Sequence, residues 1–481
     1  MRRILAALPL AIGVAYTLAL VVFAYRYSTF VGDDLSAFYL AKTRPFGAYL
    51  IGFMGGQMVV LHRLVTYLLY RLSPMNFLPA VLVLGALHLT SAWYLYRTLE
   101  TMRRSRVNAL LVAYYLMSAF VGIQLTWWSS GLHRFGYIAC SAIAIHHYVR
   151  HAETGKNRDL WLVLFAGILA FGFYAKAVLV PAYCVAVALV SGVDTSGLDR
   201  KKRWLRAGTV AALVTLGVAY SLVLLRLMPP VARRLNTDLP YQLLFLQAGF
   251  RIFLGSLVDT ALVLGAAPPL FFVAVTAAFV CYSSFRSRRA LLAWALAVAL
   301  VAANFLVVGL SSRTLIWRTE MVTEYRYYFE LLFFVVLLAG AVFHELSNTP
   351  EGRFVARLDP RLTTAAALAL LALHGYSSTR TFRYLLRSNR LYATMPASRA
   401  FLANLREDLD ALSHKGGATP AFIDDGFPID LDVLDFSFRQ YSQLFVVLGA
   451  DFRFTSVREA RYAVGSDGHV VRVRRGRVVR P

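Results

Sequence analysis

The sequence predicts an all-α polytopic membrane protein with about 11 transmembrane helices and a small extracytoplasmic α+β domain at its C-terminal end. Three observations predict it. First, 58% of the 481 residues are hydrophobic and only 16% are charged, where a soluble domain carries roughly a quarter charged residues. Second, apolar runs recur along the chain until residue 376, near the ~20 residues that a membrane-spanning helix needs. Third, lysine and arginine collect in alternate loops, the pattern of a chain whose cytoplasmic loops are basic. Together these exclude an ordinary soluble enzyme. The net charge of +24 then belongs to cytoplasmic loops and anionic lipid headgroups, and no nucleic-acid partner is expected. Cys140, Cys184 and Cys281 each lie in an apolar run, with neither zinc spacing nor a disulfide framework.

The predicted spans are 4–25, 76–96, 107–125, 135–149, 160–175, 178–192, 207–226, 258–281, 290–310, 328–343 and 362–376. The first follows MRR and is too long for a signal-peptide core, so it is expected to be retained. With a cytoplasmic N-terminus, the inside segments hold 20 Lys and Arg in 65 residues and the outside loops hold 14 in 113. The clusters RTLETMRRSR, DRKKRWLR and RSRR all fall inside. An odd number of spans places 377–481 outside, giving a transmembrane domain over 1–376 and an extracytoplasmic domain over 377–481. The Arg-over-Lys bias, 44 to 6, is the coding signature of a GC-rich genome, so the expected location is a bacterial inner membrane.

The outer loops are unusual. Residues 26–75 are long and only moderately polar, and LSAFYLAK and GQMVVLHRLVTYLLYRL read as amphipathic helices at the membrane surface. Loop 226–257 is similar, so a covered chamber is expected on the outer face. In the tail, 380–412 reads as helix. Ala421–Asp435, with Pro428 and five Asp, reads as loop and short strand, and ARYAVGSDGHVVRVRRGRVV reads as a hairpin about Asp467-Gly468.

Four features could carry chemistry. Asp33 and Asp34, in TFVGDDLSAFYLAK, follow the first span on the outer face. Near a membrane cleft one carboxylate can serve as a general base with a raised pKa; the competing reading makes Asp34 a helix N-cap. Lys176, in GFYAKAVLVPAY, lies at an outer turn and either binds a phosphate or snorkels. The segment SSRTLIWRTEMVTEYRYY sets Arg313, Arg318 and Arg326 beside Tyr325. Arginine suits phosphate oxygens, and an aromatic belt with lipid-facing cations is the alternative. In WWSSGLHRF, Trp127, Trp128, His133 and Arg134 either contact a sugar or sit at the interface. Arg63, beside His62 on the first outer loop, could also reach a phosphate. His146, His147 and His151 lie on the cytoplasmic side without carboxylates placed as co-ligands, so no metal site is assigned. No Walker motif, dinucleotide fingerprint, nucleophile elbow or HExxH is present.

In this order, the pieces resemble the GT-C superfamily of polyprenyl-phosphate-sugar-dependent glycosyltransferases. The acidic pair Asp33-Asp34 follows the first helix. HRLVTYLLYRLSPMNFLPAVLVLGALHLTSAWYLYR is similar to the family's crossing from outer-loop helix into the second span. AKAVLVPAY looks like its Ser-Lys-Glu-plus-proline turn, and EYRYY precedes a late span. The resemblance covers 1–345 and departs at Ala175 and Ala177, which replace the Ser and Glu flanking the lysine. It implies a GT-C-like fold and transfer of a sugar from a polyprenyl-phosphate donor, with inversion, to an acceptor hydroxyl on a glycan, lipid or protein. Asp33 or Asp34 would be the general base. Lys176, Arg313, Arg318, Arg326 and Arg63 would bind the lipid phosphate, and Trp127, Trp128, His133, Arg134 and Tyr325 would contact sugar or acceptor. Some members use a divalent cation at the acidic motif, which leaves that cofactor open here. Two other classes compete: a transporter or lipid flippase, against which stands the absence of internal repeats, and a non-catalytic membrane assembly factor.

Overall fold

The structure is a computed structural model that describes residues 2–53, 57–193, 198–228, 233–256, 270–311, 314–315, 326–350, 360–414, 420–425, 440–474 and 477–478. Helix α1 (Arg2–Tyr27) is followed by α2 (Asp33–Thr43), α3 (Phe46–Ile51) and α4 (Val60–Leu72); α2 and α4 hold the two segments read as amphipathic helices, and α3 is a short helix between them. Then come α5 (Phe77–Met102), α6 (Arg106–Leu116), α7 (Ala119–Leu125), α8 (Trp128–Thr154) and α9 (Asn157–Phe173). A 3-10 turn (Ala175–Leu179) leads into α10 (Val180–Val190), then α11 (Arg200–Leu227), α12 (Leu239–Ser256), α13 (Leu270–Arg286), α14 (Arg288–Gly309), α15 (Arg326–Leu346), α16 (Pro360–Ser388) and α17 (Arg390–Ser413). The last helix, α18 (Tyr441–Leu448), belongs to the tail.

Local chemistry sets many of the helix starts. Asn76, Ser105, Ser118, Asp199 and Ser287 each accept a backbone N–H of the first turn of α5, α6, α7, α11 and α14. Ser118 therefore restarts the chain after α6, and α6 and α7 meet at a 47° bend inside the predicted span 107–125. Gly155, at φ +62°, ends α8 in the left-handed conformation that a glycine adopts without strain.

Among the described residues, five helices are long and apolar enough to cross a membrane by themselves: Ala7–Tyr27, Phe77–Met102, Arg200–Leu227, Arg288–Gly309 and Tyr327–Leu346; the bent pair, taken as one span, makes a sixth. The other predicted spans fall on shorter or more polar helices: α8, α9, α10, α16 and, for 270–281, α13. The remainder of the span predicted at 258–281 lies outside the described residues. Helix α8 shows why its hydropathy is weak. It is buried along nearly its whole length against α5, α7, α9 and α10, so its Ser, His and Arg side chains face protein rather than lipid.

Helices α1 and α16 run parallel. Tyr16 Oη lies 3.2 Å from Thr379 Oγ1, Phe23 meets Phe382 edge-on at 5.3 Å, and Tyr27 Oη donates to the Tyr392 carbonyl at 3.0 Å. Both helices therefore point the same way. Helix α16 continues through the predicted domain boundary at 376/377 as far as Ser388.

The tail packs on the same side as α2. Lys42 Nζ donates to the Val446 carbonyl at 2.9 Å, and Tyr70 Oη donates to that of Val447 at 3.2 Å. Its sheet has the order β2-β1-β3-β4-β5, with β1 at Ala421–Ile423, β2 at Arg453–Thr455, β3 at Tyr462–Val464, β4 at Val470–Arg474 and β5 at Arg477–Val478. Strands β1 and β2 are parallel and joined through α18, and Phe422 pairs with Phe454 and Tyr462. The predicted hairpin is β3–β4, antiparallel, with Val464 opposite Val470 and Gly468 at φ +87° in its turn.

Candidate active site

The chemistry-bearing residues converge on the first turn of α8. Gly32 precedes α2 with φ 47° and ψ −110°, a conformation that a side chain strains, and this turn points Asp34 inward. Asp34 is fully buried. One carboxyl oxygen accepts the Val31 N–H at 3.3 Å; the other accepts the Ser129 N–H at 2.8 Å and a very short bond from Ser129 Oγ. The N-cap of α2 is Gly32, without a side-chain cap bond. Asp34 instead caps α8, where the helix N-terminus favours negative charge. Burial pushes its carboxyl up to about 7; the Ser129 bonds oppose that rise and neighbouring Asp33 adds to it. Asp33 itself is half-buried.

Two histidines frame the same turn. His62 Nε2 and His133 Nδ1 lie 3.2 and 2.6 Å from the Ser129 carbonyl, and the rings stack at 4.0 Å. A carbonyl can only accept, so both nitrogens carry their protons. Burial pulls His62 down to about 3, leaving it neutral at any working pH. Trp128 Nε1 donates to Thr66 Oγ1 at 3.1 Å, tying α8 to α4. Trp127 and Trp128 are both fully buried, so their faces lie against protein.

One residue along, the site becomes cationic. Arg134 donates to the carbonyl and hydroxyl of Ser130, each at 3.0 Å, and its Nε lies 3.4 Å from Glu330 Oε1. Lys176 Nζ donates to Glu330 Oε2 at 3.0 Å and to Asn304 Oδ1 at 2.6 Å. The rings of Tyr174 and Tyr327 flank both cations at 5.1–5.5 Å. Among the described residues, the two buried cations share the Glu330 carboxylate, the kind of pairing that buried charge requires in a low dielectric. The fold also explains how Lys176 comes to be buried: α9 ends at Phe173, and the 3-10 turn before Pro181 directs the lysine between α14 and α15.

Lys176 and Arg134, assigned separate roles from sequence, therefore meet on Glu330. Ser129 holds the acid and adjacent Ser130 holds the cation, so one helical turn joins them. Arg63 stands apart: it is buried, donates to the carbonyls of Tyr49 at 2.7 Å and Phe53 at 2.5 Å, and lies over the Tyr49 ring. Those bonds staple α3 to α4. Arg313, Arg318 and Tyr325 lie outside the described residues, as does the side chain of Arg326; the next residue, Tyr327, lies in the cation cluster. Sequence reading missed Glu330, Asn304 and Ser129. A lone carboxylate in YYFELLFF was a legible signal, since an ionisable group inside an apolar span marks function or a buried partner.

Among the described residues no three His, Cys, Asp or Glu side chains converge as metal ligands. Asp33 and Asp34 have no such co-ligand set there. At the far end of α8, His147 Nδ1 bonds Asp159 at 2.8 Å.

The chain is similar to two crystal structures of ArnT from Cupriavidus metallidurans, one bound to undecaprenyl phosphate and one in the apo state. Each aligns with a TM-score of 0.51 over 92% of this chain and 85% of that one, at 12% and 13% identity. No protein-family model and no curated protein matches the sequence. With the apolar spans, this likeness establishes the architecture: the chain is a polytopic membrane protein that shares its fold with ArnT.

Proposed function

We propose that the protein is a GT-C-type glycosyltransferase that moves a sugar from a polyprenyl-phosphate donor to an acceptor hydroxyl on the outer face of the inner membrane. The observation that carries this reading is the shared turn of α8: the Asp34 carboxyl is anchored to Ser129, and Arg134, anchored to the adjacent Ser130, meets Lys176 on Glu330. ArnT, of the same fold, is known bound to undecaprenyl phosphate, which supports a lipid of that class as the donor's carrier.

In the proposed reaction Asp34, in its ionised form, takes the proton of the acceptor hydroxyl. The hydroxyl oxygen attacks the anomeric carbon from the face opposite the phosphate. The bond from that carbon to the phosphate oxygen breaks, and the electron pair leaves with the polyprenyl phosphate. The configuration inverts. Lys176 and Arg134 stabilise the negative charge gained by the leaving group, as preorganised donors do where charge develops; Arg313, Arg318 and Arg326 are proposed to add to that field. Asp33 is proposed to tune Asp34 electrostatically. Arg134 was expected to contact sugar or acceptor, and its place on Glu330 favours the phosphate instead.

The test is transfer of radiolabelled sugar from a panel of synthetic polyprenyl-phosphate sugars in proteoliposomes. Asp34→Asn should abolish transfer, and Lys176→Gln should reduce it by at least 100-fold. Full transfer by a well-expressed Asp34→Asn protein would remove the proposed base.

A further inference from the structure

A second cationic feature lies elsewhere. The parallel pair α1 and α16 encloses an open groove of about 750 Å³, lined by Tyr16, Tyr376, Arg380, Arg383, Tyr384 and Arg387. The three arginines fall at helical spacing on the exposed face of α16, a helix that contains no Asp or Glu. Among the described residues none of the three forms an ion pair. The opposite face of α16, with Ser378, Thr381, Phe382 and Leu385, is buried against the protein.

The depth of this groove is informative. Tyr16 meets Thr379, and Tyr16 lies eleven residues before the end of α1 at Tyr27, roughly 16 Å at 1.5 Å per residue. Arg380 and Arg383 therefore sit alongside the apolar half of α1 rather than beyond its end. Leu18, Val22, Leu370 and Leu373, on the same two helices, are exposed, which marks a surface built for acyl chains. Guanidinium set against such apolar surface is costly unless water or an anion meets it. Three rigid donor forks matched to phosphate geometry, beside exposed hydrocarbon, fit one chemistry: an anionic phosphate head that carries lipid chains.

We propose that the α1–α16 groove binds an anionic bilayer phospholipid, its phosphate among Arg380, Arg383 and Arg387 and its chains along the exposed leucines. The site shares no residue with the Lys176–Arg134 cluster and stands independently of the proposed transfer.

Native mass spectrometry of the full chain, with dioleoyl phosphatidylglycerol and dioleoyl phosphatidylcholine as probes, tests the proposal. The phosphatidylglycerol adduct should bind at least 10-fold more tightly than the phosphatidylcholine adduct. Arg380→Gln/Arg383→Gln/Arg387→Gln should remove that preference, and millimolar inorganic phosphate should not displace the lipid. Equal retention of both lipids by the wild-type chain overturns the proposal, as does an unchanged preference in the triple variant. Displacement by inorganic phosphate would show a free-anion site and would equally overturn it. Should the triple variant fail to fold, Arg383→Gln and Arg383→Lys replace it: a preference weakened in the first and kept in the second is expected, and an unchanged preference in both refutes the site.

Discussion

Removing the Ser129 hydroxyl offers a direct probe of the candidate site. Asp34 is buried, its carboxyl lies at about 7, and Ser129 Oγ is the largest influence holding it down against burial. A hydrogen bond to a charged group contributes about 1.5–3 kcal/mol, and about 1.4 kcal/mol corresponds to one pKa unit. Ser129→Ala should therefore raise the Asp34 midpoint by roughly 1–2 units, while the backbone N–H of residue 129 keeps its own bond. The sign for activity follows. A general base works only when ionised, so transfer rises with pH through about 7 in the wild type and through a higher pH in the variant. At pH 7, where the wild-type acid is half ionised, the variant should lose roughly 5- to 50-fold by the same conversion and recover much of it in alkali. Infrared difference titration of the protonated carboxyl band, assigned by its loss in Asp34→Asn, measures the midpoint without any substrate. A wild-type midpoint near 4, or an unchanged midpoint in Ser129→Ala, refutes the desolvated acid.

Other outcomes follow from the same geometry. Glu330→Gln leaves Lys176 and Arg134 buried without a counter-charge; it should destabilise the fold by about 3–5 kcal/mol, read as a fall in thermal unfolding temperature, and added undecaprenyl phosphate should restore part of the loss. Gly32→Ala forces a side chain into φ 47° and should cost about 1–3 kcal/mol, with transfer falling more than expression because the turn aims Asp34. A buried Asp34 binds its proton more tightly folded than unfolded, so its contribution to stability is fully present below the ordinary aspartate pKa and is lost as pH rises through about 7. Asp34→Asn should flatten that part of the stability profile, measured by unfolding at a series of pH values. For sidedness, a cysteine at Lys42 and one at Asp467, in a chain with Cys140, Cys184 and Cys281 replaced by Ser, should both react with an impermeant maleimide on intact cells; labelling of only one contradicts the shared face set by the Lys42–Val446 bond.

Where lipid is the neighbour, the sequence reports the fold well. Helices α1, α5, α11 and α14 have exposed apolar faces, and each was read as a span, with one boundary of α5 and one of α11 six to seven residues short. Helix α8 was read as a 15-residue span, 135–149, although it runs for 27 residues. Hydropathy measures partition into lipid, and α8 partitions into protein, where Arg134 and His133 are satisfied by Ser130 and Ser129. The acidic pair and Lys176 were visible because charge beside apolar runs stands out. Their partners were not: Ser129 and Glu330 lie 95 and 154 residues from Asp34 and Lys176, and only the packed bundle brings them together. The capping reading of Asp34 identified the right interaction on the wrong helix, since a short-range rule sees the helix that follows and not the one packed across from it.

The proposed reaction keeps the total charge of the site constant and moves it. Asp34 begins ionised and ends neutral, while the phosphate diester begins with one negative charge and ends as a monoester with two. One unit of negative charge thus passes from the Ser129 side of the α8 head to the Ser130 side, toward Arg134 and Lys176. A phosphate oxygen at contact distance, ~4 Å from one such cation, gains about 4 kcal/mol at an effective dielectric of 20. That is the order of three decades in rate, if the gain comes only as charge arrives. The single carboxylate of Glu330 matters to this difference. A second acid would neutralise both cations and erase the gradient, and no acid would leave two charges uncompensated before the donor binds. Among the described residues one carboxylate bridges the two cations, and a phosphodiester would bring one further negative charge to them.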